Sequence, residues 1–339
     1  WLDGAARRAQ AEAAAAAAAK QTELPAPVRA VGPLRQFLVL SHRQLYDAVK
    51  DTKKLLKSLL MRSIVGVAVG VLFLGQGRSD SFGAIFPVTS TMFIAVLNSN
   101  LDTVLEGLLQ GPPARALLRR EYANGLYSCE SYFGAVLVVN LVQATLSTVC
   151  LVVPLYLLVG FAPTALQAAR FLACLVIMTV IGMSIGLAIG QLAKDIDEAR
   201  VMLLPIIAPQ MIFSGYVLPY GRMPDYFKWL YYASFWQYGL GVLQVNEFAN
   251  RTYTEDCPAA TAEQLLYDDL AHILEEANIT LPPHVFNGTC NGTASLVQAG
   301  LWPVKFGGLQ NYFLILIGYM LLFIGLAYAG LKWSLRARA

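Results

Sequence analysis

Apolar positions run together in long stretches along this chain, and polar positions collect between them. Crossing hydrocarbon as a helix takes roughly 20 apolar residues. Six stretches come near or reach that length: about 59–75, 82–104, 132–158, 169–192, 201–218 and 311–331. Arg62 falls near one end of the first, where its head can snorkel to water. Ahead of it, Leu34, Phe37, Leu38, Leu45, Val49 and Leu56 recur at helical spacing among Arg43, Lys50, Lys53, Lys54 and Lys57. This predicts a basic amphipathic helix over 34–58 on a membrane surface, with a solvated packing helix as the plainer alternative.

Polar punctuation sets the topology. Four N-x-S/T sequons, at Asn250, Asn278, Asn287 and Asn291, all fall in one segment, which places the loop 249–308 outside or in a lumen. Cys257 and Cys290 share that loop, where oxidation is permitted. They read as an internal disulfide, as two free thiols, or as one bridge to another subunit. Positive charge agrees: of 25 Lys and Arg, only Arg78, Arg170, Arg222, Lys228, Arg251 and Lys305 fall on the outer side or its boundary. The segment 226–245 is also apolar. A seventh span there would put the sequons in the cytosol and the basic tail outside. Its aromatics, Tyr226, Phe227, Trp229, Tyr231, Tyr232, Phe235, Trp236 and Tyr238, suit a membrane–water interface, so a re-entrant hairpin is predicted. The expected fold is an all-α membrane protein with six transmembrane helices and an N-terminal surface helix. An aromatic hairpin follows span five, and a large glycosylated loop precedes span six.

Composition narrows the function. Hydrophobic residues make up 56% and charged residues 14% of 339, against about 25% charged in ordinary soluble domains. A net charge of +3 gives no nucleic-acid footprint. Residues 1–32, with the run Ala13–Ala19 and then Pro25 and Pro27, read as a low-complexity linker before a membrane domain at 33–335 and a cytosolic tail at 336–339. The first residue, Trp1, suggests a piece of a longer chain, and no cleavable signal peptide is visible.

Candidate chemistry lies inside the spans. Thr91, Asn98 and Asp102 share a helical face, with Ser99 beside them. Polar groups in lipid look at protein or water, so the stripe is a substrate path or a set of interhelical hydrogen bonds. Gly182, Gly186 and Gly190, and Gly66 with Gly70, are spaced for close helix packing. The stretch 111–131, with Arg115, Arg119, Arg120 and Glu121, reads as a stiff helix between two spans, a lever for a cytosolic partner or a mere connector. There is no Walker A loop, no G-x-S-x-G elbow, and no metal motif among His42, His272 and His284. No catalytic motif is nominated.

Two segments then resemble one family, the transmembrane domain of G-subfamily, white-like ABC transporters. Within 210–248, Phe213, Ser214, Gly215, Pro224, Trp229, Ser234, Tyr238, Asn246, Glu247 and Phe248 match its pattern. Within 114–133, Arg115, Arg120, Glu121, Gly125, Tyr127, Tyr132 and Phe133 do so, while Ala114 stands where the family usually has Glu. The resemblance implies a half-transporter that pairs with a second half as a homo- or heterodimer. ATP and Mg would be held by a nucleotide-binding domain outside this chain, which itself carries no cofactor. It implies a central cavity lined by spans two and five, with Met211 facing it beside the stripe and Tyr216 and Val217 closing it outward. ATP-driven closure would push on 111–131 and on the surface helix, giving alternating access for lipids, sterols or other amphipathic molecules. The expected location is the plasma membrane, with both termini cytosolic and lipid as a neighbour. The rivals are an ion-coupled transporter or channel, and a glycosylated receptor or scaffold.

Overall fold

The computed structural model describes residues 32–50, 52–249, 251–253, 290–292 and 308–336, with backbone only at 54, 112–116, 290, 291 and 336. Nearly all of this is helix. The described helices are α1 (Pro33–Lys50), α2 (Thr52–Leu72), α3 (Ile85–Ala123), α4 (Cys129–Val159), α5 (Ala165–Leu192), α6 (Ile196–Ile212), α7 (Lys228–Ala233), α8 (Phe235–Phe248) and α9 (Leu309–Arg336). Among the described residues, five stretches are long and apolar enough to cross a membrane: Leu55–Leu72, Phe82–Gly111, Cys129–Val159, Ala165–Leu192 and Leu309–Leu335. The chain is therefore a multi-pass membrane protein whose described part is mostly helical.

The bundle is organised around α5, which packs against α3, α9, α4 and α8. Its contact with α3 is a backbone contact made possible by small residues. A Cβ on Gly190 would lie 2.8 Å from the Leu108 carbonyl oxygen, and one on Gly107 would lie 2.6 Å from that of Met183. Gly182 meets Asn100, Gly186 meets Val104, and Gly111 meets Gly190. The spacing read as a packing device is thus one half of a two-sided seam. A second close approach joins α2 to α4, where Gly66 faces Leu151 and Pro154 and Gly70 faces Leu158.

Three boundaries differ from the sequence reading, each for a local reason. The amphipathic helix ends at Lys50, so Leu56 and Lys57 belong to α2. The first turns of α2 are themselves basic and apolar, which made the two helices look continuous. α1 keeps Leu34, Leu38, Leu45 and Val49 exposed and buries Gln36 and Leu40. Second, 111–123 is no separate helix: α3 continues for 39 residues through it. The α3–α5 seam supports it past Gly111, and Gly125, with φ 68°, then turns the chain. Third, the run predicted as span five is broken, since α6 stops at Ile212 after 17 residues and a turn follows.

The ends of the outer loop meet in a two-stranded antiparallel ladder, β1 (Thr252–Tyr253) and β2 (Cys290–Asn291), with Tyr253 opposite Cys290. The linker apart from Gly32 and the tail beyond Arg336 lie outside the described residues, as do Cys257, Asn250, Asn278 and Asn287 and the side chains of Cys290 and Asn291.

Overpacking a backbone seam costs about 1–3 kcal/mol or more, because neither main chain can yield. Gly186→Leu should therefore sharply lower the thermal midpoint and the monodisperse yield of the purified protein. Gly318→Leu, where a Cβ meets nothing within 4 Å, should leave both unchanged.

Candidate functional site

The polar stripe on α3 divides between two surroundings. Thr91 and Ser99 are buried in the bundle. The Thr91 hydroxyl donates to the Pro87 carbonyl at 3.0 Å, and Ser99 Oγ has no partner. Asn98 and Asp102 instead face α2. Asn98 Nδ2 donates to Ile94 O at 2.9 Å. Arg62 reaches across from α2: its Nη1 lies 3.0 Å from Asp102 Oδ2 and donates to the Asn98 carbonyl at 3.1 Å. Nη2 lies 4.0 Å from Glu106. The Arg62 side chain is only 8% exposed, against 46% for Asp102, so the predicted snorkelling does not occur. A guanidinium within reach of two carboxylates is better satisfied sideways than by stretching to an interface. Glu106 was the residue sequence reasoning missed, and Arg62 was read as snorkelling rather than paired. The acid pair at i and i+4 on α3 was the available signal.

The second constellation follows α6. Phe213 caps the helix, and Gly215 adopts φ 86°, a left-handed turn that a side chain resists. The turn delivers the Tyr216 ring onto Phe93, with centroids 4.4 Å apart and planes 21° apart. Its hydroxyl donates to Ser90 Oγ at 2.9 Å. Val217 beside it is exposed, while Met211 is half-buried against the core. The chain comes back at Ser234, whose Oγ donates to the Gln210 carbonyl at 2.9 Å, and the Phe235 amide donates to Gln210 Oε1 at 3.2 Å. From there α8 is buried along its whole length.

The third constellation ties α3 to its neighbours at its far end. Arg119 Nη2 donates to the Ser334 carbonyl of α9 at 3.1 Å. Glu121 meets Arg43 of α1 at 3.4 Å and accepts from the Tyr127 hydroxyl at 2.6 Å. Burial, and then the hydrogen bond to Glu121, push the Tyr127 phenol above its ordinary pKa, so it remains a donor. Arg120 is exposed, and the Arg115 side chain lies outside the described residues.

A fourth contact gives the N-E-F residues a physical task. Glu247 accepts from the Ala162 amide at 3.2 and 3.1 Å and from Arg251 Nη1 at 3.1 Å. Arg251 Nη2 also donates to the Ser79 carbonyl at 3.1 Å. Asn246 and Gln167 exchange amide-to-carbonyl bonds at 3.0 and 2.9 Å. The end of α8 is thereby clamped to the α4–α5 turn and to the turn after α2.

Together these features define a multi-pass helical membrane domain whose polar side chains join distant helices. The chain belongs to the ABC-2 type transporter family, whose model matches residues 35–248, the start of α1 through α8. It is 27% identical over 225 residues to ABC transporter G family member 24 of Dictyostelium discoideum, covering 63% of this chain and 18% of that protein. It is 24% identical over 222 residues to Protein white of Drosophila melanogaster, covering 63% of this chain and 31% of that protein. It is 25% identical over 236 residues to ABC transporter G family member 4 of Arabidopsis thaliana, with coverages of 68% and 40%. These likenesses place it with white-like, G-subfamily transmembrane domains, as a membrane component of an ABC transporter. The chain spans less than half the length of these relatives.

A double-mutant cycle on Arg62→Met and Asp102→Asn should show a coupling of about 1–2 kcal/mol in unfolding free energy. That lies within the roughly 0.5–3 kcal/mol seen for contacting residues, below its upper end because Asp102 is half-exposed. Additive effects would mean that the two side chains do not interact.

Proposed function

We propose that this chain is the membrane-spanning half of an ATP-driven exporter that moves a lipid-like or other amphipathic small molecule by alternating access. ATP and Mg would be handled by a nucleotide-binding domain outside this sequence, and two halves would pair, as a homodimer or heterodimer. The observation that carries the reading is the ABC-2 family match along α1 through α8. The relatives' greater length leaves room for the ATP-hydrolysing part.

The geometry adds support at three places. α6 leaves Val201 and Leu204 75% and 71% exposed, an apolar face that suits a second half rather than water. With α6 as the fifth crossing, six spans result, and α7–α8 form the re-entrant hairpin returning to the level of Gln210. Tyr216 and Val217 then act as the outward gate, held shut by the Phe93 stack and the Ser90 hydrogen bond. Met211 lies on the cavity side; Thr91 and Ser99, buried behind it in the bundle, would meet substrate only if α3 moves, while Asn98 and Asp102 brace α2. Arg115, Arg119, Arg120 and Glu121 form the receiving end of the lever, facing the cytosol with both termini. The loop closed by β1 and β2 would carry sugar on Asn250, Asn278, Asn287 and Asn291 and a Cys257–Cys290 bridge at the plasma-membrane exterior.

A gate needs different free energies in its open and closed states, so weakening the closed state must change flux. In proteoliposomes holding the full-length natural protein and any partner half, ATP should drive export of a fluorescent lipid. Tyr216→Phe removes the hydrogen bond to Ser90 and keeps the stack. It should shift ATP-dependent flux by about two- to tenfold, the range of one net hydrogen bond, with thermal stability little changed. Flux driven by an ion gradient without ATP would overturn the exporter reading.

A further inference from the structure

The elbow where α1 meets α2 carries positive charge that the chain itself does not balance. Over 33–61 the sequence sets Arg35, Arg43, Lys50, Lys53, Lys54 and Lys57 against Asp47 and Asp51. The preceding residues 1–32 hold Arg7, Arg8, Lys20 and Arg29 against Asp3, Glu12 and Glu23, so they bring no net negative charge. Arg43 is engaged with Glu121. Arg35, Lys50, Lys53 and Lys57 are exposed, with no ion pair or side-chain hydrogen bond among the described residues. Elsewhere the signs are mixed. Arg78 and Asp80 follow the far end of α2, and Lys194, Asp195, Asp197, Glu198 and Arg200 share the start of α6 and the turn before it.

These cations sit at headgroup level and look at lipid. The apolar run of the first crossing is Leu55–Leu72, and Lys57 lies within its first turn. Helical spacing puts Lys53 and Lys57 on one face with Leu60 and Ile64, which are 55% and 50% exposed. Exposed apolar residues on a membrane-spanning helix face lipid, so the two lysines above them do as well. Arg62 points the other way, to the acids of α3. On α1, Leu34, Leu38, Leu45 and Val49 form one exposed stripe with Arg35 beside it, while Gln36 and Leu40 are buried against the bundle. An apolar stripe edged by cations is the pattern of a helix lying in the interface plane.

We propose that the α1–α2 elbow is a docking surface for anionic phospholipid. Negatively charged headgroups pair with Arg35, Lys50, Lys53 and Lys57, and their acyl chains lie against Leu60 and Ile64. The occupant is membrane lipid rather than a soluble anion, because the face that bears the lysines of α2 also bears its exposed apolar residues. A zwitterionic headgroup offers the same phosphate but no net charge, so the surface selects lipid by charge. The proposal does not rest on the transport reading, and its test reads lipid contact rather than flux.

The test uses the full-length natural protein, with any partner half, in phosphatidylcholine nanodiscs. The discs carry a small fraction of photoreactive phosphatidylserine or of photoreactive phosphatidylcholine with the same chains. Cross-linked peptides are mapped by mass spectrometry. Phosphatidylserine should label 33–64 at least about tenfold more than phosphatidylcholine does, since each Lys or Arg beside an anionic surface contributes about fivefold. The excess should shrink as salt rises from about 0.1 to 1 M and the Debye length falls from about 10 to 3 Å. Changing Lys50→Gln, Lys53→Gln and Lys57→Gln together should lower the phosphatidylserine excess about tenfold or more. The same variant should keep its phosphatidylcholine labelling and its thermal midpoint, because all three side chains are exposed. Arg78→Gln, beyond the other end of α2, is the control with no effect on 33–64. Soluble glycerophosphoserine at millimolar concentration should not compete. Equal labelling by the two lipids, or an excess that survives the triple variant, overturns the proposal. So does competition by glycerophosphoserine, which would mark a soluble-anion site. Zero-length cross-links from Lys53 or Lys57 to protein carboxylates, in place of lipid labelling, would mark a protein contact and overturn it too.

Discussion

Everything in this bundle hangs on the backbone seam between α3 and α5. Gly182, Gly186 and Gly190 on one helix, and Gly107 and Gly111 on the other, remove the side chains that would hold the axes apart. In lipid there is no water to expel between helices, so association rests on van der Waals contact and hydrogen bonds. Close backbone approach raises the first and shortens the second. Asn100 uses that proximity: its Nδ2 donates to the Met178 carbonyl of α5 at 2.9 Å, fully buried. With the seam in place, α4, α8 and α9 have a fixed surface to pack on.

Several charged side chains join elements remote in sequence: Arg62 of α2 to Asp102 of α3, Glu121 to Arg43, Arg119 to α9, and Glu247 to the α4–α5 turn. The reason is the cost of an unpaired charge away from water. Such pairs contribute less to net stability than to register. A helix that slid or rotated would strand a charge, so each pair excludes alternative packings of otherwise interchangeable apolar rods. Val201 and Leu204 on α6 are exposed and apolar, and carry no such tie.

The positions of the helices were legible because a hydrocarbon-spanning run is a large, local signal. The glycine spacing was legible for the same reason. What stayed hidden was set by partners. Pro112 and Pro113 argue for a helix end, yet α3 runs through them beside α5. Arg62 looked like a snorkelling residue because its acids lie on another helix. The break after Ile212 was masked by apolar residues on both sides of the turn, although Gly215 marked it. Asn246, Glu247 and Phe248 could be matched as a motif, but their clamp needed Ala162, Gln167 and Ser79, brought near only by folding.

One consequence of the seam bears on mechanism. α3 carries Ser90 and Phe93, which hold Tyr216, and also Arg119 and Glu121, which hold α9 and α1. At 1.5 Å per residue, Phe93 and Glu121 are roughly 42 Å apart along one continuous helix. Had 111–123 been a separate segment, a loop would have absorbed any push delivered there. A single rod splinted along α5 has no such slack. On the proposed reading, cytosolic closure pushing on Glu121 and α1 need not travel through a chain of side-chain rearrangements. It displaces α3 together with α5, to which the glycine seam fixes it, and the Phe93 face leaves the Tyr216 ring as the pair moves.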